Sequence, residues 1–213
     1  MKRSVVFAWA AASAFLAGLF VWLAFFWEPD PAGYAGGARQ ETAASRPNYL
    51  AGGDFTLDGP DGKLSLHDYR GQAVLIYFGY TFCPDVCPTA LAVIAEALRA
   101  LPPEEAARAR GIFISVDPER DTPDVLKAYA PFFHPGIVGA TGTPEQVAEV
   151  ARRYGVLYMK QKPIDGRPYT VDHSSMTYLV APDGTLAAVL PHGASATEIV
   201  AALRKTLAAP PAN

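Results

Sequence analysis

The sequence predicts an α/β three-layer domain carried on an N-terminal transmembrane helix. Three observations carry this reading. An uncharged apolar run, Val5–Trp27, opens the chain. Short apolar strands then alternate with helical patterns, the order that builds a parallel sheet through crossover helices. The last third instead holds two strands joined by a tight turn and closed by one helix, so a βαβ half gives way to a ββα half.

Val5–Trp27 is interrupted only by Ser13 and Gly18. At a rise of about 1.5 Å per residue it reaches about 34 Å, enough to cross a bilayer core. Lys2 and Arg3 precede it, and Glu28 and Asp30 follow it. The positive-inside rule therefore holds Met1 in the cytoplasm or a matrix and puts the rest on the non-cytoplasmic side, a periplasm or its equivalent. A cleaved secretory signal is the competing reading, but its apolar region usually has about 7–15 residues. The longer run favours an uncleaved anchor at residues 1–27. Residues 28–53 are rich in Pro, Gly and Ala and show no apolar period. They read as a flexible linker spanning about 25–30 Å, or equally as a passive spacer.

The domain is expected over residues 54–207, with 208–213 as a disordered tail. Asp54–Leu57 and Lys63–Leu66 flank Asp58-Gly59-Pro60-Asp61-Gly62, a hairpin turn signal. Ala73–Gly79 reads as a strand covered on both faces. Thr89–Leu101 has apolar residues at helical spacing and stops at Pro102-Pro103. Gly111–Val116 is a second buried strand, and Thr122 caps a helix running to about Ala130. Ile137–Ala140 fits a short strand. Thr143, Pro144 and Gln146 start a helix that ends near Tyr154-Gly155. Ser175–Val180 and Thr185–Leu190 pair across Ala181-Pro182-Asp183-Gly184, and Ala194–Leu207 closes the domain as a helix begun by Ser195 or Thr197.

Composition narrows the function. At about 150 residues per domain, 213 residues make one domain and an extension. With 50% hydrophobic residues the chain is not mainly disordered. Eighteen Lys+Arg against 21 Asp+Glu give a net charge of −3, which argues against a nucleic-acid binder. No Walker-type or GxGxxG loop, HExxH or GxSxG motif is present. Two cysteines cannot form a disulfide-rich scaffold, and a domain of about 160 residues buries a core without one. The cysteines therefore matter locally or not at all.

Both lie directly after a buried strand, in Cys83-Pro84-Asp85-Val86-Cys87-Pro88. Open α/β sheets bind ligands at the carboxyl ends of their strands. Pro88 fits the first helical position with Cys87 as N-cap, where the helix terminus favours a thiolate. Competing readings are two inert buried thiols or a plain structural disulfide. Of the four histidines, His67, His134 and His192 read as loop or surface residues. His173 differs: Val171-Asp172-His173 precedes a new strand, on a connection expected beside the cysteine loop.

Together CPDVCP (Cys83–Pro88), ISVDPERDTP (Ile114–Pro123) and VDHSSMTYLVAPDG (Val171–Gly184) resemble the Sco/SenC family in sequence and order. The resemblance covers about Asp54 to Leu207 and the N-terminal anchor. It implies a membrane-tethered copper chaperone with a thioredoxin-like fold that helps assemble cytochrome c oxidase. The family's ligands map to Cys83, Cys87 and His173, the histidine standing near where thioredoxins carry their cis-proline. An imidazole there turns a disulfide-exchange site into a metal site.

Two thiolates and one imidazole suit a soft ion. Zinc accepts the same set but completes a fourth ligand in structural sites, so Cu(I) fits best, with Cu(II) held where a further ligand joins. The resemblance implies the copper A subunit of cytochrome c oxidase as partner, with other copper chaperones or thioredoxin-like reductants as further candidates. Asp172 is expected to orient His173. Asp85 either tunes the charge or is simply solvated, and Asp117, Arg120 and Asp121 are expected to form an ion-paired turn near the site without a catalytic role. The main alternative function is a thiol–disulfide oxidoreductase using Cys83 and Cys87. A peroxide-consuming enzyme ranks last, because no separate resolving cysteine is present.

Overall fold

The computed structural model describes residues 51–163, 166 and 168–209, together with Gly18, Leu19 and Trp22, which are helical. The expected anchor, linker and tail otherwise lie outside the described residues. No helix among the described residues is long and apolar enough to cross a membrane. The chain divides into two units, Met1–Arg46 and Pro47–Asn213, and the fold that follows is that of the second.

Strands β1 (Thr56–Gly59) and β2 (Gly62–Ser65) pair antiparallel around Pro60 and Asp61. Gly62 takes a positive φ of 121° there, a conformation open to glycine. A 3-10 turn at Leu66–Tyr69 leads to β3 (Ala73–Gly79). Then come α1 (Val86–Arg99), the single turn α2 (Pro103–Ala106), β4 (Ala109–Ser115), α3 (Pro123–Phe133), β5 (Ile137–Ala140) and α4 (Pro144–Arg153). A small hairpin, β6 (Tyr158–Lys160) and β7 (Val171–His173), precedes β8 (Thr177–Val180), β9 (Leu186–Leu190) and α5 (Ala196–Ala208).

The main sheet has the order β5-β4-β3-β8-β9. β3, β4 and β5 run parallel, while β8 adds antiparallel to β3 and β9 to β8. Strand β3 is central and every one of its residues is buried, which is why its sequence is an unbroken apolar run rather than an alternation. Tyr77 and Phe113 are partners in the β3–β4 register and face α1 and α3. Tyr129 of α3 packs on Phe113 with centroids 5.4 Å apart, and α5 packs beside α1. Phe78 points to the opposite face and meets Tyr154, just after α4, and Tyr178 of β8, each at 5.7 Å. Phe55 closes on Tyr154 there. Helices thus cover both faces of a mixed sheet, and the α/β layering expected from the sequence stands.

Several boundaries move. Helix α1 starts at Val86, three positions before Thr89. Pro103, read as part of a helix stop, is the first residue of α2, where its missing N–H has no intrahelical partner to lose. Helix α3 continues through Pro131 to Phe133, and α5 includes Ala208, the first residue expected in the tail. Ser195, not Thr197, caps α5, in a reciprocal capping box with Glu198. The β6–β7 hairpin was not anticipated. Its strands have three residues each, too short to show a period.

Candidate metal centre

The site forms where β3 ends. The chain turns after Gly79 so that the Cys83 N–H donates to the Tyr80 carbonyl at 3.3 Å. Thr81 is pinned by its N–H and its hydroxyl, which both donate to the Asp121 carboxylate, at 2.9 and 2.5 Å. Asp121 is fully buried and also accepts from the Ser115 hydroxyl at the end of β4. One carboxylate thereby anchors the cysteine loop to the neighbouring strand.

Helix α1 takes over at Val86, and its first i to i−4 bond runs from the Thr89 N–H to the Asp85 carbonyl at 3.1 Å. Cys87 therefore sits inside the first turn rather than at the N-cap. Pro88 is tolerated beside it because first-turn N–H groups lack partners anyway. Both cysteines are free thiols, Cys83 7% exposed and Cys87 fully buried. Burial pushes the Cys87 thiol up, against the lowering expected from the helix terminus. Desolvation of a fully enclosed sulfur outweighs the terminal dipole. The close approach needs Gly79, where a Cβ would stand 2.7 Å from Cys87 Sγ.

His173 ends β7, opposite Tyr158. Its Nε2 lies 3.2 Å from Cys87 Sγ and its Nδ1 3.2 Å from the Ser174 carbonyl oxygen. A carbonyl only accepts, so the Nδ1 proton belongs there and the Nε2 lone pair faces the thiols. Burial pushes the His173 pKa down, partly opposed by the Ser174 carbonyl and by Asp172, and so favours the neutral imidazole that binds metals. The rings of Tyr77 and Tyr80 meet the imidazole edge-on at 6.1 and 6.0 Å and fix its plane. Asp172 does not orient His173 through a hydrogen bond: its carboxylate accepts from Gln161 Nε2, because neighbours in a strand point to opposite faces.

Cys83 Sγ, Cys87 Sγ and one imidazole nitrogen of His173 all lie within 4.8 Å of one another. Three donors about 2.0–2.3 Å from one ion stand at most about 4 Å apart, so the trio would hold one ion after a modest contraction. The other histidines stay away. His67 and His192 are exposed, and His134 Nδ1 accepts from the Gly136 N–H. Asp85 is exposed and caps nothing with its side chain. Arg120 pairs with Asp117 as expected, but Asp121 bonds hydroxyls and an amide instead of a cation. Gly79, Tyr77, Tyr80 and Ser174 also shape the site, and none of them belongs to the three motifs' chemically distinctive residues. The aromatic run Tyr77-Phe78-Gly79-Tyr80 just before the cysteines was the available signal.

The SCO1/SenC family profile matches residues 43–208. The mitochondrial SCO2 homolog of Bos taurus is 38% identical over 190 residues, 88% of this chain and 70% of that protein. Bradyrhizobium japonicum ScoI, solved with copper bound, superposes with a TM-score of 0.66 at 40% identity, covering 73% of this chain and 99% of that one. BsSco, described with a disulfide switch and as a member of the Sco family of cytochrome c oxidase assembly proteins, gives a TM-score of 0.60 at 26% identity, covering 78% and 98%. The thioredoxin-like architecture of those structures is the one described above. The matched span holds both cysteines and the histidine that the fold brings together, and the chain belongs to the SCO1/SenC family.

Proposed function

We propose that this chain is a copper chaperone. Cys83, Cys87 and His173 hold one copper ion on a membrane-tethered domain at the non-cytoplasmic face, and the domain delivers it to the copper A centre of cytochrome c oxidase. The observation that carries the reading is the convergence of two buried thiols and one imidazole within 4.8 Å, its Nε2 facing Cys87 Sγ at 3.2 Å. The relatives solved with copper bound and the family's link to cytochrome c oxidase support it.

The donor set explains the cargo. Thiolates and an imidazole are soft to borderline ligands that favour Cu(I). Loading displaces the thiol protons, so the ion itself overcomes the burial that keeps Cys87 protonated. Three protein ligands leave one coordination position open. A partner thiolate enters there, and protein ligands leave one at a time without a free ion or a change of oxidation state. The tyrosine rings and the Ser174 carbonyl hold the imidazole in place, which limits the reorganisation each loading requires.

Anaerobic competition titration of the reduced full chain with Cu(I) tests this. One ion per chain is expected, with Cys83→Ala and His173→Ala each weakening binding at least about tenfold. A Cys83→Ala variant that keeps full copper affinity and full oxidase activity in cells would sink the reading. The second reading is thiol–disulfide exchange, favoured by the pair being free and adjacent. There a Cys83–Cys87 disulfide would form as two electrons and two protons pass to a partner's disulfide. Repeated disulfide reduction, undiminished by His173→Ala, would select it over delivery.

A further inference from the structure

We infer that Arg120 is the positioning residue that holds the histidine-bearing hairpin against the cysteine loop. This rests on the copper-binding reading above. His173 belongs to the β6–β7 hairpin, a two-stranded sheet separate from the five-stranded one, while Cys83 lies in the loop after β3 and Cys87 in α1. The candidate site therefore has two halves, which the chain joins through the three residues 174–176 between β7 and β8 and which side chains hold in place.

Besides that connection and the Tyr80 bond to the Val171 backbone, the turn between β4 and α3 supplies a further join. The Arg120 Nη1 donates to the Tyr169 carbonyl at 2.9 Å, two residues before β7. Its Nε donates to Asp117, whose other carboxylate oxygen accepts from the Tyr169 hydroxyl at 2.8 Å. The neighbouring Glu119 accepts from Lys160 of β6 at 2.6 Å. Arg120 thus grips both the backbone and, through Asp117, the side chain of one hairpin residue.

The same guanidinium reaches the other half. Its carbon lies 3.7 Å from the Tyr169 ring centroid, 4.7 Å from that of Phe82 and 5.6 Å from that of Tyr80. Phe82 immediately precedes Cys83, and Tyr80 packs on the His173 ring. A planar cation stacks on aromatic faces while its edge makes directed hydrogen bonds, and a lysine ammonium cannot do both. Because Asp117 neutralises it and is itself only 3% exposed, Arg120 works as a clamp rather than as a free charge beside the thiolates.

Arg120→Lys in the full chain tests the clamp by two measurements. In the metal-free protein, amide hydrogen exchange is expected to quicken about tenfold or more across Tyr158–Lys160 and Val171–His173 while β3 and β4 keep native protection. In Cu(I) competition, affinity is expected to fall about 10–100-fold, the range for residues that orient a ligand. Because the clamp acts through His173, Arg120→Lys should add no further loss in a His173→Ala background. Tyr169→Phe, which removes the hydroxyl that bonds Asp117 and also interacts with Glu119 and Lys160 but keeps the backbone bond to Arg120, should shift both readouts the same way by less. Unchanged hairpin exchange overturns the inference, and so does an affinity loss that persists in full without His173. A native chain that binds no copper overturns the functional reading instead, and the exchange result then judges the clamp separately.

Discussion

Gly79 shows how one missing methyl group shapes the centre. A Cβ there would stand 2.7 Å from Cys87 Sγ and 2.9 Å from the Phe113 ring, both inside a packed core. Nothing can yield cheaply at that distance, since Phe113 is stacked on Tyr77 and Cys87 is fixed by helix α1. Gly79→Ala is expected to cost about 1–3 kcal/mol of stability, the range for overpacking a core. It should also push the thiol away from His173 and weaken Cu(I) binding. Denaturant unfolding alongside copper titration checks both, and an unchanged denaturation midpoint would mean that the loop relaxes freely. The sequence showed the cysteines, the proline and the VDH histidine because each is chemically distinctive. It did not show Gly79 or Ser174, because their roles are a volume and a carbonyl, and neither is written in residue type.

At the scale of an element, the end of helix α3 carries a pH-dependent contact. His134 follows Phe133, and its Nδ1 accepts from the Gly136 N–H at 2.9 Å. Burial first, then the cations Arg99 and Arg110, hold its pKa below the ordinary histidine value. The unfolded chain therefore binds the proton more tightly, near pH 6.5. Stability is complete above that pH and declines as pH falls toward the lower folded value, where protonation also removes the Nδ1 acceptor. His134→Asn keeps a side-chain acceptor at similar reach and does not titrate. Its thermal midpoint should fall less than that of the native chain between pH 7.5 and 5.5. Some slope will remain, since burial lowers the His173 pKa in the same direction. An identical slope in the two proteins would remove His134 from the account. Elements of this kind were legible where local chemistry marks them: Thr122 before Pro123 and Thr143 with Gln146 cap their helices as expected. The β6–β7 hairpin was not, because its register is set by pairing across a long connection rather than by any pattern within three residues.

For the whole molecule, metal binding and folding are linked on the proposed copper-binding reading. The trio draws one candidate ligand each from the cysteine loop, helix α1 and the separate hairpin, so it exists only when the core is assembled. A ligand that binds the folded state alone stabilises it by about 2.7 kcal/mol at a hundredfold excess over Kd. Cu(I) should therefore raise the thermal midpoint of the reduced chain and leave that of Cys87→Ala nearly unchanged, as calorimetry under argon can measure. Equal shifts in both would mean that the ion binds elsewhere or binds the unfolded thiols. The α/β class, the family motifs and the three residue types of the site are legible in the chain alone, because apolar period, turn chemistry and thiol reactivity are local properties. The chain alone does not decide the partners of those residues. Desolvation raises the Cys87 thiol that its helix position was expected to lower, and Ser174 rather than Asp172 orients the imidazole. Arg120 reaches from the connection before β7 to the cysteine loop. These follow from which surfaces are buried against each other, and burial and through-space distance exist only once the chain has folded.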